Sequence, residues 1–313
     1  EELDAVRNYD DQYLYHDHLE DHNHAIYFHQ FVERAEADGL QYLADTRVAS
    51  MFLKFLFPKA KNALANVKQE QYMDFLRNRR FRSTLLCHQG VALVRNIGPE
   101  VLRNFQLSLA IRPDPFEANF DSKEPLTLRF GPGTISTSSP LAMAVVEHLN
   151  NHWPRPITID ELHTASVQRL ANSGNRVESS NHLSVDDIAG TMMDLFTAGV
   201  LDFYVHPPTI ANLVSRRPLA TPLARLQASS GSTVTNQRHE NVKLDEFCRY
   251  LVALLDSRHD RDLLSDKVQT AIAKGELTMP QDCQHVQPVD QAKLDGLVGN
   301  ALTGICHASL LTA

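Results

Sequence analysis

No stretch of this sequence is long and apolar enough to span a bilayer. The most apolar segments, Met51–Phe57 and Leu251–Leu255, fall far short of the roughly 18 residues such a span needs. Cysteine is sparse: Cys87, Cys248, Cys283 and Cys306 lie far apart and form no C-x-x-C. That spacing indicates neither a zinc ribbon nor a disulfide-stapled fold, and it points to a reducing cytoplasm. The chain opens Glu1-Glu2-Leu3-Asp4, with neither an initiator methionine nor a charged-then-apolar leader, so we expect a fragment or processed product of something longer. Signatures of chemistry are missing too. There is no Gly-x-Ser-x-Gly elbow and no G-x-G-x-x-G opening a helix, and Gly131-Pro132-Gly133-Thr134 lacks the G-x-x-x-x-G-K-[ST] form of a phosphate loop.

What is present is the balance of a globular protein, 43% hydrophobic and 22% charged over 313 residues, long enough for two or three domains. The net charge of −8 hides an asymmetry, because residues 1–46 carry 12 acidic and 2 basic side chains while residues 47–112 carry 12 basic and 3 acidic. Adjacent blocks of opposite sign most often neutralise each other within a fold, although a basic block can also receive an acidic partner or a phosphate backbone.

The pattern predicts an α+β protein, mainly helical. Ile26, Phe28, Phe31, Val32 and Ala35 recur at helical spacing and Gly39 follows as a C-cap. Helices are expected over Met51–Phe57, Asn62–Val67 and Gln69–Asn78, strand residues over Phe81–Val94, and a strand-turn-strand around Gly131-Pro132-Gly133. These make a helical or α+β domain over residues 1–138. Residues 139–208 read as a winged-helix-like domain of three helices and a short strand, opened by Ser139-Pro140, by the box Thr158-x-x-Glu161 and by Ser184-x-x-Asp187. Residues 209–241, rich in Ser, Thr, Pro and Gly, read as a linker most flexible at Ser229–Ser232, and residues 242–313 as a C-terminal helical unit.

Two clusters are candidates for binding. Five histidines, His16, His18, His22, His24 and His29, fall within fourteen residues, and on a helix His18 and His22 share a face at the spacing zinc ligands use. No Glu stands between paired histidines in the H-E-x-x-H arrangement, so surface or capping histidines are the plainer reading. Arg77, Arg79, Arg80 and Arg82 form a basic run beside Phe75 and Phe81, suited to an acidic partner surface or to pairing with the acidic N-terminal block. DNA is disfavoured: the helix that would enter a groove, Ser184–Ala198, has three aspartates and no Lys or Arg, and residues 140–206 hold 8 acidic against 3 basic residues.

Certain stretches resemble a known family. Tyr15-His16-Asp17-His18-Leu19-Glu20, Ile26-Tyr27-Phe28, Phe31-Val32-Glu33-Arg34-Ala35 and Gly39-Leu40-Gln41-Tyr42-Leu43 resemble the start of the methyltransferase regulatory domain. Asp74-Phe75-Leu76-Arg77-Asn78-Arg79-Arg80-Phe81-Arg82-Ser83-Thr84-Leu85-Leu86 is similar to its second signature. Arg217–Arg225 and Val234–Asp256 are similar to the tail of the same proteins, among them the bacterial non-SET protein lysine methyltransferases. The resemblance covers only the non-catalytic part: no glycine cluster for S-adenosylmethionine occurs among the thirteen glycines, and Asp114-Pro115-Phe116 lacks one proline of the amine-methyltransferase loop. It implies a regulatory or substrate-binding region with no catalytic, cofactor or metal residues of its own. S-adenosylmethionine would belong to a catalytic domain upstream in cis, a protein would be the substrate, and Arg77, Arg79, Arg80 and Arg82 would be the surface that meets it. The alternative is a free-standing winged-helix scaffold that binds protein; a histidine-cluster metalloprotein is a third reading.

Overall fold

A computed structural model describes residues 6–7, 13–22, 24–51, 66–94, 99–112, 125–130, 133–172, 183–279 and 291–313. The expected helices over Met51–Phe57 and Asn62–Val67 fall almost wholly outside the described residues, as does Asp114-Pro115-Phe116. The fold is α+β with helices predominating, and it divides into two compact units, residues 1–97 and 98–313. The division comes earlier than residue 138, because strand β3 (Gln106–Leu109) hydrogen-bonds into the sheet of the second unit.

In the first unit, helix α1 (Phe28–Ala37) ends at Gly39, whose φ of +77° suits glycine at a C-cap. Strand β1 (Leu40–Asp45) follows and pairs antiparallel with β2 (Thr84–His88). Helix α2 (Val67–Leu76) is opened by Asn66, whose side chain accepts from the Gln69 amide while Gln69 reaches back to the Asn66 amide. Phe28 and Val32 of α1 pack with Tyr42 and Ala44 of β1 and with Met51 to form a small core.

In the second unit, β3 is the middle strand of an antiparallel sheet ordered β6-β3-β7, with β6 at Ile157–Thr158 and β7 at Leu201–Tyr204. A separate hairpin joins β4 (Leu126–Phe130) to β5 (Gly133–Thr137). Helices α3 (Pro140–Asn151), α4 (Ile159–Asn172) and α5 (Val185–Thr197) start where their sequence signals stand. The Ser139 and Ser184 hydroxyls accept from Ala142 and Asp187, and Thr158 Oγ1 accepts from the Glu161 amide. They bury Val145, Val146, Leu149, Leu162, Ile188 and Met192.

The stretch read as a linker is built into the fold. Thr221 caps helix α6 (Pro222–Ser230), which buries Ala224 and Ala228, and β8 (Thr233–Thr235) pairs with β9 (Asn241–Lys243) around buried Val234. The hydroxyls of Ser229 and Ser230 donate to carbonyls of the last turn of α6, so serines that read as flexible act as helix-end ligands. Helices α7 (Glu246–Leu254), α8 (Arg261–Ala273) and α9 (Gln291–His307) complete one apolar core with α6.

Candidate functional site

Helix spacing places Glu70 and Asp74 on one face of α2, four residues apart, and both are buried. Beyond the helix, Arg77 is the C-cap and Asn78 takes a left-handed φ of 49°, turning the chain back so that Arg79 to Arg82 run alongside α2. Arg82 lands at the centre. Its Nε is 2.7 Å from Asp74, its Nη2 2.5 Å from Glu70, its Nη1 3.7 Å from Asp45 at the end of β1, and its guanidinium lies 3.9 Å over the Phe28 ring. Arg79 pairs with the same Asp45 at 2.8 Å. Burial opposes the charge on Arg82, but the hydrogen bonds it donates to Asp74 and Glu70 outweigh it and hold the guanidinium ionised. Burial raises the Glu70 carboxyl above its ordinary range in spite of Arg82, and pushes the Tyr42 phenol up to about 12.

Asp74 and Arg82 form one wall of a cleft of about 490 Å³. Ile26, Tyr27 and Phe31 of the α1 region, Phe75 of α2, and Arg79, Arg80 and Phe81 of the return segment complete it. Tyr27, Phe75 and Phe81 are 56%, 58% and 79% exposed, an unusual display of aromatic surface. Tyr27 meets Phe75 edge to face, with centroids 5.8 Å apart. The arrangement offers aromatic faces beside guanidinium groups, which suits a chain segment able to stack and to pair with cations.

The four arginines therefore divide. Arg77 and Arg80 are exposed, with Arg77 donating to the Ser50 carbonyl at 2.9 Å. Arg79 and Arg82 are held by internal carboxylates, and with its side chain 11% exposed Arg82 is not part of an outward surface. Of the carboxylates around it only Asp45 comes from the acidic block 1–46, while Glu70 and Asp74 belong to the basic block itself. Of the histidine pair, His22 is exposed and the side chain of His18 lies outside the described residues.

A second polar centre, in the 98–313 unit, escaped the sequence reading. Arg238, with its side chain 2% exposed, donates to the Leu109 carbonyl at 3.1 Å, the Ala110 carbonyl at 2.8 Å and Asp202 at 2.6 Å. Its guanidinium sits 4.7 Å from the Trp153 ring, and Trp153 Nε1 donates to the His307 carbonyl at 2.9 Å. One residue of the 236–240 turn thus binds β3, β7 and the end of α3, a role that composition hides in a polar run.

With this geometry in view, comparison with known proteins gives two domain matches: residues 10–88 to the predicted methyltransferase regulatory domain, and residues 216–310 to the C-terminal winged helix domain of PKMT. Residues 10–88 are thus similar to the methyltransferase regulatory family and residues 216–310 to the PKMT winged helix family. The first match spans the Arg82 network and every residue lining the cleft, and the second spans Arg238. The winged-helix match falls on the expected linker and C-terminal helical unit rather than on residues 139–208. There the strands of the β8/β9 hairpin are three residues long, too short to register as an alternating pattern.

An uncharacterized protein of Rickettsia prowazekii (strain Madrid E) is 28% identical over 96% of this chain and 56% of its own length, and a second from that organism is 24% identical over 61% of this chain and 79% of its own. The structure of PKMT2 from Rickettsia typhi in complex with AdoHcy covers the whole chain with a TM-score of 0.80 at 25% identity, and this chain covers 63% of it. The chain thus spans 56% of the first of these relatives and 63% of PKMT2. Among the described residues no helix is long and apolar enough to cross a membrane.

Proposed function

We propose that this chain is the regulatory and substrate-binding region of a bacterial S-adenosylmethionine-dependent methyltransferase that modifies protein lysines in the cytoplasm. The cofactor and the methyl-transfer chemistry belong to a catalytic domain in cis, upstream of the regulatory domain. The observation that carries this reading is the order of the two matched domains along a chain that superposes in full on part of PKMT2, a protein solved with AdoHcy.

The role of the region is to gather substrate. A protein segment laid in the cleft between Tyr27, Phe75, Phe81 and Arg80 raises the effective concentration of its lysines at the catalytic domain, without any residue here touching the methyl group. Arg80 and Phe81 supply that contact, whereas Arg82 shapes the wall behind it.

The test uses the whole protein and labelled methyl transfer to a protein acceptor. The paired substitution Arg80→Glu with Phe81→Ala is expected to raise the acceptor KM by about tenfold or more, as loss of one hot-spot contact does, with S-adenosylmethionine affinity unchanged. Unchanged acceptor kinetics in a folded variant would exclude the cleft as the substrate surface. Absence of methyl transfer by the whole protein to any protein acceptor would return the chain to the scaffold reading.

A further inference from the structure

Among the described residues, one cluster outside the cleft carries metal-ligand chemistry: His148, His152 and Glu161. His148 lies in the last turn of α3, His152 is that helix's C-cap, and Glu161 stands in the first turn of α4. A spacing of four residues at a helix end brings the two imidazoles together, with ring centroids 4.2 Å apart. One nitrogen from each ring and one oxygen of Glu161 all lie within 4.8 Å of one another.

Two further observations separate this trio from chance proximity. His148 Nε2 is buried and has no hydrogen-bond partner, although a buried ring nitrogen nearly always has one. His152 Nδ1 lies 2.8 Å from the His148 carbonyl oxygen. A carbonyl only accepts, so Nδ1 carries the proton and Nε2 keeps its lone pair. A ring fixed through one nitrogen, with the other free to ligate, is how proteins hold metal-binding histidines. Glu161 is free to adjust, since its ion pair with Arg155, at 3.9 Å, joins side chains 51% and 40% exposed, and such pairs contribute little.

We propose that His148, His152 and Glu161 form a binding site for a divalent transition metal of the zinc type. Two imidazoles and a carboxylate leave one tetrahedral position open to water, and nitrogen donors disfavour magnesium and calcium. Closing on zinc needs ligand bonds of about 2.0–2.2 Å, so the three groups must draw inward slightly, a movement the exposed Glu161 can supply. The bound ion would tie the end of α3 to the start of α4.

The test uses the whole chain, without an affinity tag and stripped of metal, in a background where His16, His18, His22, His24 and His29 are glutamine. Cobalt(II) is the spectroscopic probe and zinc the competitor. One equivalent should bind with the intense visible absorption of a four-coordinate site, and zinc should both bleach it and raise the thermal midpoint. His152→Gln and Glu161→Gln, each at a position that is not buried, should weaken binding by at least about tenfold while leaving circular dichroism unchanged. Full affinity in both of these variants, or no bound equivalent in the histidine-depleted background, would overturn the assignment.

Discussion

Replacing Arg238 with alanine is expected to loosen the 98–313 unit more than any other single change at a charged position there. The side chain is 2% exposed and gives hydrogen bonds to two backbone carbonyls and to Asp202. Asp202 is 46% exposed, so water replaces that partner and the ion pair is discounted. The carbonyls differ: that of Leu109 keeps the Ser108 hydroxyl at 3.2 Å, whereas alanine leaves that of Ala110 facing a void without the Arg238 donor. Hydrogen bonds from a charged donor contribute roughly 1.5–3 kcal/mol each, and with the ring contact on Trp153 lost as well the total is roughly 3–5 kcal/mol, the cost of removing one member of a buried ionic cluster. For a unit of this size that corresponds to a fall in thermal midpoint of roughly 6–20 °C.

Trp153 is the one tryptophan of the chain and lies under the Arg238 guanidinium, so its fluorescence reads this transition directly. Arg238→Lys separates charge from geometry. Lysine keeps the positive charge but cannot present a planar fork to two carbonyls or stack on the indole, so about half the loss should remain. A fall of less than about 2 °C for alanine, below what a single lost hydrogen bond produces, would refute the account of Arg238 as a cross-brace.

Arg82→Met should destabilise the 1–97 unit by roughly 3–5 kcal/mol by stranding Asp45, Glu70 and Asp74, while Arg77→Met, at an exposed position, stays within about 0.5 kcal/mol; urea midpoints followed by circular dichroism distinguish them. Burial pushes the Cys248 thiol up to about 12 and raises that of Cys306, so a thiol-directed disulfide reagent at mildly alkaline pH should leave both unmodified until denaturant is added. Their modification on the timescale of a free thiol would contradict the packing. Ser184→Ala should cost about 1 kcal/mol through loss of the N-cap of α5. Hydrogen bonds from the Ser184 amide and hydroxyl hold the Asp187 carboxyl below its usual value of 3.8. Its stabilisation is therefore present above the unfolded value and is lost as pH falls through the folded one, so the gap between wild type and variant should narrow in acid. A gap that is independent of pH would count against the capping box.

Legibility tracked how locally each feature is encoded. The starts of α3, α4 and α5 were readable because a cap needs only a hydroxyl or carboxylate within three residues of the amide it serves, as at Ser139, Thr158 and Ser184. Gly39 was readable for the same reason. The boundary after Ile97 was not, because β3 joins β6 and β7 from positions about fifty and ninety-five residues away, and nothing in Gln106–Leu109 announces distant partners. Residues 209–241 were misread because composition cannot distinguish serine in a loop from serine capping a helix. The metal trio was hidden in turn, since Glu161 joins the histidines only across the β6 connection.

The regulatory-domain signatures acquire a physical reason once the two stretches are placed together. The first supplies Phe28, Tyr42 and, just beyond it, Asp45; the second supplies Asp74, Arg79 and Arg82, with Glu70 one turn ahead. Those residues are the members of one buried network around Arg82. Asp45, Glu70, Asp74, Arg79 or Arg82 alone in the core would be an uncompensated charge, so the charged members stand or fall as a unit. A hydrophobic core tolerates exchange among similar apolar residues, whereas removing one charge here strands its partners. Arg80 and Phe81, within the same signature, are exposed and line the cleft. The cleft they line, and not Arg82, carries the proposed contact with substrate.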